Sequence, residues 1–167
     1  MVTASPQSVP RSVSSRWLTP AILSQGFLAV YLQVVEWIPL GRWNNVAGGN
    51  GQASLDIILA IVQAAILLCY WKRWRWAMAA GWGLYAYWFY LEITSWWVPY
   101  IRGGSPEFMR FYQRWFANTY KILPAVDGHP VPDAEHTVLV VLVLLVLCSS
   151  AMASFGRMRD GSDAPRS

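Results

Sequence analysis

The sequence predicts an all-α membrane protein with four transmembrane helices in a bundle and one interfacial amphipathic helix in the outer loop between helices three and four. Three observations predict this fold. Of the 167 residues, 55% are hydrophobic and only 13% are charged, which is too apolar for an ordinary soluble domain. Four apolar segments are long enough to span a bilayer. Most Lys and Arg residues lie beside these segments, where they orient helices.

The composition also argues against other classes of protein. The formal net charge of +4 is concentrated beside the apolar segments, so no nucleic-acid partner is expected. Cys69 and Cys148 lie inside apolar segments and form no C-x-x-C pair, so the sequence predicts neither a disulfide framework nor a zinc-finger spacing. No phosphate-binding or nucleophile motif of soluble enzymes is present. The sequence therefore identifies no cofactor and no metal site.

The chain begins with a Ser- and Pro-rich tail, residues 1–16, which contains no acidic residue and is expected to be disordered. The first helix is predicted over about residues 17–40. It is longer than the apolar part of a signal peptide and contains polar residues, so we expect it to remain uncleaved. Pro39 and Gly41 mark its end.

The second and third helices are predicted over about residues 54–71 and 76–98. Ser54 is a plausible N-cap for the second, and Asp56 falls in its first turn, where the helix dipole favours a negative charge. Only a short basic turn separates the two helices, so they are expected to pack as an antiparallel hairpin.

Glu92 is the only acidic residue in the third helix, which is otherwise apolar and aromatic apart from its basic start. An ionisable group inside a membrane helix is costly and usually faces a partner or a cavity. Helical spacing predicts that Glu92 shares one face with four other residues, namely Gly81, Tyr85, Trp88 and Trp96.

The long connection that follows contains the signals for another helix. Ser105, Pro106 and Glu107 form a good N-terminal series, and an amphipathic interfacial helix is predicted over about residues 106–123. Asp133 is a candidate cap for the fourth transmembrane helix, predicted over about residues 137–155. The transmembrane domain thus covers residues 17–156, followed by a polar tail, residues 157–167.

The distribution of basic residues predicts the orientation. If the N-terminus is cytoplasmic, the inner side holds eight Lys and Arg residues and the outer side holds five. The positive-inside rule therefore predicts that both termini are cytoplasmic, with the protein integral to the plasma (inner) membrane.

This topology predicts a polar cluster at the outer ends of the four helices. Its candidate catalytic members, one from each helix, are Glu36, Asp56, Glu92 and His136. Five further residues are expected to line a substrate pocket beside or below the cluster: Gln33, Gln63, Tyr85, Trp88 and Trp96. Aromatic walls with a few convergent polar groups are typical of a small-molecule site.

Three functions fit this pattern. The first is binding of a small organic or lipid-like molecule by a binding, transport or accessory component. The second is a membrane-embedded enzyme, either an acid/base isomerase or cyclase of an apolar substrate or a metal-assisted redox enzyme. The third is a structural subunit of a membrane complex. The expected partners are the lipid bilayer, a small apolar ligand and other membrane proteins.

Overall fold

The structure is a computed structural model that describes residues 15–44 and 53–156. The described part is 76% helical and contains no strand, so the all-α prediction is confirmed. The predicted tails lie outside the described residues, except for the last two residues of the first. The seven helical elements are α1 (Ser15–Trp37), α2 (Ala53–Trp71), α3 (Arg75–Glu92), a π-helical turn (Ile93–Trp97), α4 (Val98–Arg102), α5 (Pro106–Trp115) and α6 (Ala134–Phe155).

Two of these helices are long and apolar enough to cross a membrane. They are the stretch Arg16–Trp37 in α1 and the whole of α6, Ala134–Phe155. The apolar part of α2, Leu55–Trp71, is shorter. Length and composition within the described residues therefore support two candidate spans.

Helices α1 and α6 run antiparallel along each other. At one end, the Gln25 amide donates a hydrogen bond to the Ser150 hydroxyl over 3.0 Å. At the other end, the Tyr31 hydroxyl donates to the backbone oxygen of Glu135 over 3.1 Å. Helix α3 packs on the same α6, and α2 packs on both α1 and α3.

The predicted α2–α3 hairpin is present and closely packed. A Cβ atom added to Gly81 of α3 would lie 2.7 Å from Cγ2 of Ile66 in α2, so the absence of a side chain permits this approach. Near the turn, the buried Tyr70 hydroxyl donates to the Met78 backbone oxygen over 3.1 Å and lies 2.9 Å from the Ser154 hydroxyl of α6.

The third predicted helix is not a regular α-helix to residue 98. Residues Ile93–Trp97 form a π-helical turn, in which the Val98 N–H bonds to the Ile93 carbonyl, and a further α-helical turn follows. Pro99 explains the change, because its ring would clash with the Ser95 carbonyl in a regular helix and it has no N–H to donate. The wider turn keeps Trp96 buried.

The first helix ends at Trp37 rather than near residue 40. Pro39 has no N–H to continue the helical hydrogen-bond pattern. The buried Asn44 side chain caps the C-terminal end of the helix instead. Its amide nitrogen donates to the carbonyl groups of Val35 and Ile38. These are among the terminal carbonyl groups that a helix leaves without partners.

The interfacial helix is shorter than predicted. The Ser105 cap is confirmed, since its hydroxyl accepts from the Phe108 N–H over 3.1 Å. However, α5 ends at Trp115 instead of residue 123. The Lys121 ammonium group folds back and donates to the Phe116 carbonyl, which stabilises the end of the helix.

The segment that replaces the end of this helix joins two other parts of the fold. The Tyr120 N–H donates to the Arg42 carbonyl over 2.7 Å, and the Ala134 N–H donates to the Tyr120 carbonyl over 2.8 Å. Residues 119–121 thus lie between the chain after α1 and the start of α6. The predicted cap Asp133 is confirmed, and α6 begins at Ala134, three residues before the predicted start.

Candidate functional site

The candidate site is built around His136, whose imidazole lies among aromatic rings. Its centroid is 4.0 Å from that of the Trp96 indole and 5.5 Å from that of the Phe116 ring. Trp96 and Phe116 also contact each other edge to face, with centroids 4.8 Å apart. Trp96 belongs to the π-helical turn, Phe116 is the residue directly after α5, and His136 lies in the first turn of α6.

Asp133 orients the imidazole from the other side. Its Oδ1 accepts the His136 backbone N–H over 3.0 Å and lies 2.7 Å from Nδ1 of the same residue. Burial alone would raise the pKa of the Asp133 carboxyl group, but the hydrogen bonds and charge of His136 outweigh it and lower the pKa. When a neutral imidazole donates from Nδ1, Nε2 is left as an acceptor. The pair can therefore accept or donate a proton at Nε2.

Glu92 lies beside this pair. Its Oε1 accepts a hydrogen bond from the Trp88 indole N–H over 3.2 Å. Its Oε2 is buried and has no hydrogen-bond partner among the described residues. The charges of His136 and Asp133 both act on Glu92. A buried carboxyl oxygen without a partner is costly, so Glu92 has unused capacity for a hydrogen bond or a proton.

Glu135 is a further acidic member of the cluster, beyond the residues predicted from the sequence. It is partly buried and interacts electrostatically with His136, Asp133, Glu36 and Glu92. Its position next to a histidine at the start of an apolar helix is a signal that could have found it. The cluster therefore holds more acidic groups than predicted.

Electrostatic interactions connect three of the four predicted cluster residues, namely Glu36, Glu92 and His136. Glu36 and Glu92 both act electrostatically on His136. Asp56, in the first turn of α2, interacts electrostatically with Glu36. Whether these groups perform catalysis stays a prediction.

The five predicted lining residues are found in different places. Gln33 and Gln63 line a groove of about 490 Å³ between α1 and α2. Tyr85 is fully buried in the helical core. Trp88 and Trp96 lie with Glu92 and His136, respectively. The aromatic and amide groups therefore do not line one common groove, and their role in binding stays a prediction.

The described residues contain no group of three His, Cys, Asp or Glu side chains arranged to hold a metal ion. The cluster nevertheless provides groups for proton chemistry, because an oriented imidazole lies near carboxyl groups in a largely apolar environment.

No protein family model matches the chain, and comparisons with curated proteins and with solved structures give no significant match.

Proposed function

We propose that the chain is an integral protein of the plasma (inner) membrane in which α1, α2, α3 and α6 form a four-helix transmembrane bundle with cytoplasmic termini. Large apolar side chains that face outward on α1 and α6 support this placement, for instance Phe27, Val30, Val141 and Leu145. Hydrogen bonds near the basic turn also bring the C-terminal half of α6 to the same end as the hairpin. The positive-inside rule places that end in the cytoplasm.

We further propose that the cluster around His136 is the outward-facing acidic and aromatic site and binds a small organic or lipid-like molecule. The observation that carries this proposal is the buried Oε2 of Glu92, which has no hydrogen-bond partner among the described residues, and Glu92 also interacts electrostatically with His136. A ligand that donates a hydrogen bond to Glu92 would satisfy this atom. Its apolar part would pack on Trp96 and Phe116, because aromatic surfaces with few polar groups favour such ligands. The protein would act as a binding, transport or accessory component.

The test is mass spectrometry of the intact protein after gentle extraction in mild detergent. The wild type is expected to carry a specific small molecule, and Glu92→Gln is expected to lose it while keeping its fold. Glu107→Gln is the matched control, since Glu107 is exposed on α5. The proposal fails if no specific compound accompanies the wild type, or if both variants retain the compound equally.

A second candidate function is acid/base catalysis on the same bound molecule, as in an isomerase or cyclase. The 2.7 Å contact between Asp133 and Nδ1 of His136 favours it, because a carboxylate that fixes the imidazole leaves Nε2 free for proton transfer. Incubation of the isolated compound with the wild type and with His136→Gln distinguishes the two functions. A catalyst converts the compound only with the wild type, whereas a binding component returns it unchanged.

A further inference from the structure

The groove between α1 and α2 is distinct from the cluster around His136. Its volume is about 490 Å³, which is within the usual range for small-molecule sites. Apolar side chains form most of its walls, and its only amide side chains are Gln33 and Gln63. The apolar and small residues are Ala29, Val30, Val34, Trp37, Ile38, Ala60, Ala64 and Leu67.

Gln63 is the unusual member of this lining. Its side chain is only 5% exposed, and neither its amide nitrogen nor its amide oxygen has a hydrogen-bond partner among the described residues. In Gln33, by contrast, the amide oxygen accepts from the Trp37 indole. A buried amide with both groups unsatisfied is costly, and in a bilayer no bulk water can replace the missing partner.

We propose that this groove binds a neutral amphiphile with one apolar chain and a hydroxyl head, and that Gln63 holds the head. A hydroxyl group both donates and accepts, so one such group can satisfy the amide oxygen and the amide nitrogen. The walls offer no charged side chain to pair with an ionic head.

A transmembrane helix from a second copy is the competing occupant, and the chemistry of Gln63 argues against it. The backbone groups of a helix are already paired within that helix. Such a partner could satisfy Gln63 only through a polar side chain. The proposal rests on the proposed position of α1 and α2 in the bilayer, but it requires no ligand at His136.

The test uses the full-length protein in mild detergent with two photoreactive probes of equal length, a long-chain alcohol and the matching alkane, each carrying a diazirine in the chain. Peptide mass spectrometry locates the labelled residues. The alcohol is expected to label the groove walls, chiefly on peptides with Ala60, Ala64 and Leu67, more strongly than the alkane. Gln63→Leu is expected to reduce alcohol labelling by at least about fivefold, because both hydrogen bonds between the hydroxyl head and the amide are lost, and to leave alkane labelling unchanged.

Gln25→Leu is the matched control, since Gln25 is another buried glutamine but lies between α1 and α6 and bonds to Ser150. It should not reduce labelling of the groove. Equal labelling by alcohol and alkane, or labelling that Gln63→Leu leaves unchanged, overturns the proposal. So does a cross-link between two copies through Ala64→Cys, an exposed position on the groove wall, if its formation blocks labelling by the alcohol. Extraction of the protein from membranes by alkaline carbonate would instead refute the membrane position itself.

Discussion

The imidazole of His136 lies against the indole of Trp96, with ring centroids 4.0 Å apart and planes tilted by 40°. Trp96 belongs to the π-helical turn and His136 to the first turn of α6, so this contact joins the end of one helix to the start of another. Asp133 holds Nδ1 of the imidazole. The ring is thus fixed by packing and by a hydrogen bond.

Two substitutions at Asp133 separate its roles. Asp133→Asn keeps an oxygen that can cap α6, whereas Asp133→Ala removes both the cap and the partner of His136. Loss of a cap costs about 1 kcal/mol, and a buried polar group without a partner costs about 1 to 3 kcal/mol. Thermal unfolding in detergent should show a clearly larger loss for Asp133→Ala. Equal losses would contradict a capping role.

The lowered pKa of Asp133 also predicts a pH dependence. The pKa in the folded protein lies below the unfolded value of about 3.9. The charged carboxylate therefore stabilises the fold above about pH 4, and this contribution is lost as the pH falls through the folded pKa. The difference in unfolding temperature between the wild type and Asp133→Asn should shrink below pH 4. A difference that grows in acid would contradict the assignment.

Substitutions at Glu92 should separate its charge from its hydrogen bond. Glu92→Gln retains an oxygen to accept from the Trp88 indole and removes a buried group that can carry charge, so stability should stay equal or rise slightly. Glu92→Leu leaves the indole without that acceptor and should be less stable than Glu92→Gln by about 1 to 3 kcal/mol. Thermal unfolding of both variants measures this difference. Equal stability would show that the Trp88 contact contributes little.

The close approach of α2 and α3 predicts opposite effects for two glycines. Gly81→Ala would place a methyl group against Ile66 and should destabilise the protein by about 1 to 3 kcal/mol. Gly83→Ala is the control, because open space surrounds Gly83 and alanine favours the helix by up to about 1 kcal/mol. Unfolding measurements should also show that Ile66→Ala offsets much of the effect of Gly81→Ala. Strictly additive losses would contradict the direct clash.

The orientation is testable with single cysteines after Cys69 and Cys148 are replaced by alanine. A cysteine at the exposed position Ala117 should react with a membrane-impermeant maleimide on intact cells. A cysteine at the exposed position Lys72 should react only after lysis. The reverse pattern would invert the proposed orientation, and labelling at both positions on intact cells would reject the four-span topology.

The positions of the long helices could be predicted because hydrophobic length and the signals at helix ends are local. Asp133 and Ser105 cap their helices as their types and neighbours indicate. The early end of α5 was not predictable in this way. Its cause is a set of distant backbone contacts, in which Tyr120 bonds to Arg42 and Ala134, and local periodicity contains no information about them.

Local sequence patterns likewise predict only part of the candidate site. Helical spacing and topology predict that Glu36 and Glu92 lie near the depth of His136. Both interact with His136 electrostatically, and their common depth stays a prediction. Phe116 was expected on an interfacial helix, yet it packs against His136 because the chain turns immediately after α5. Side-chain direction at such a turn depends on tertiary contacts, which one sequence does not specify.

The backbone contacts of Tyr120 have a kinetic consequence for the start of α6. The segment 119–121 is bonded at once to Arg42 and to the start of α6, so it cannot lift away without breaking both hydrogen bonds. The amide protons of Tyr120 and Ala134 then exchange with solvent only when this segment opens. Hydrogen exchange at these two amides therefore measures how often the start of α6 separates from the chain that follows α1.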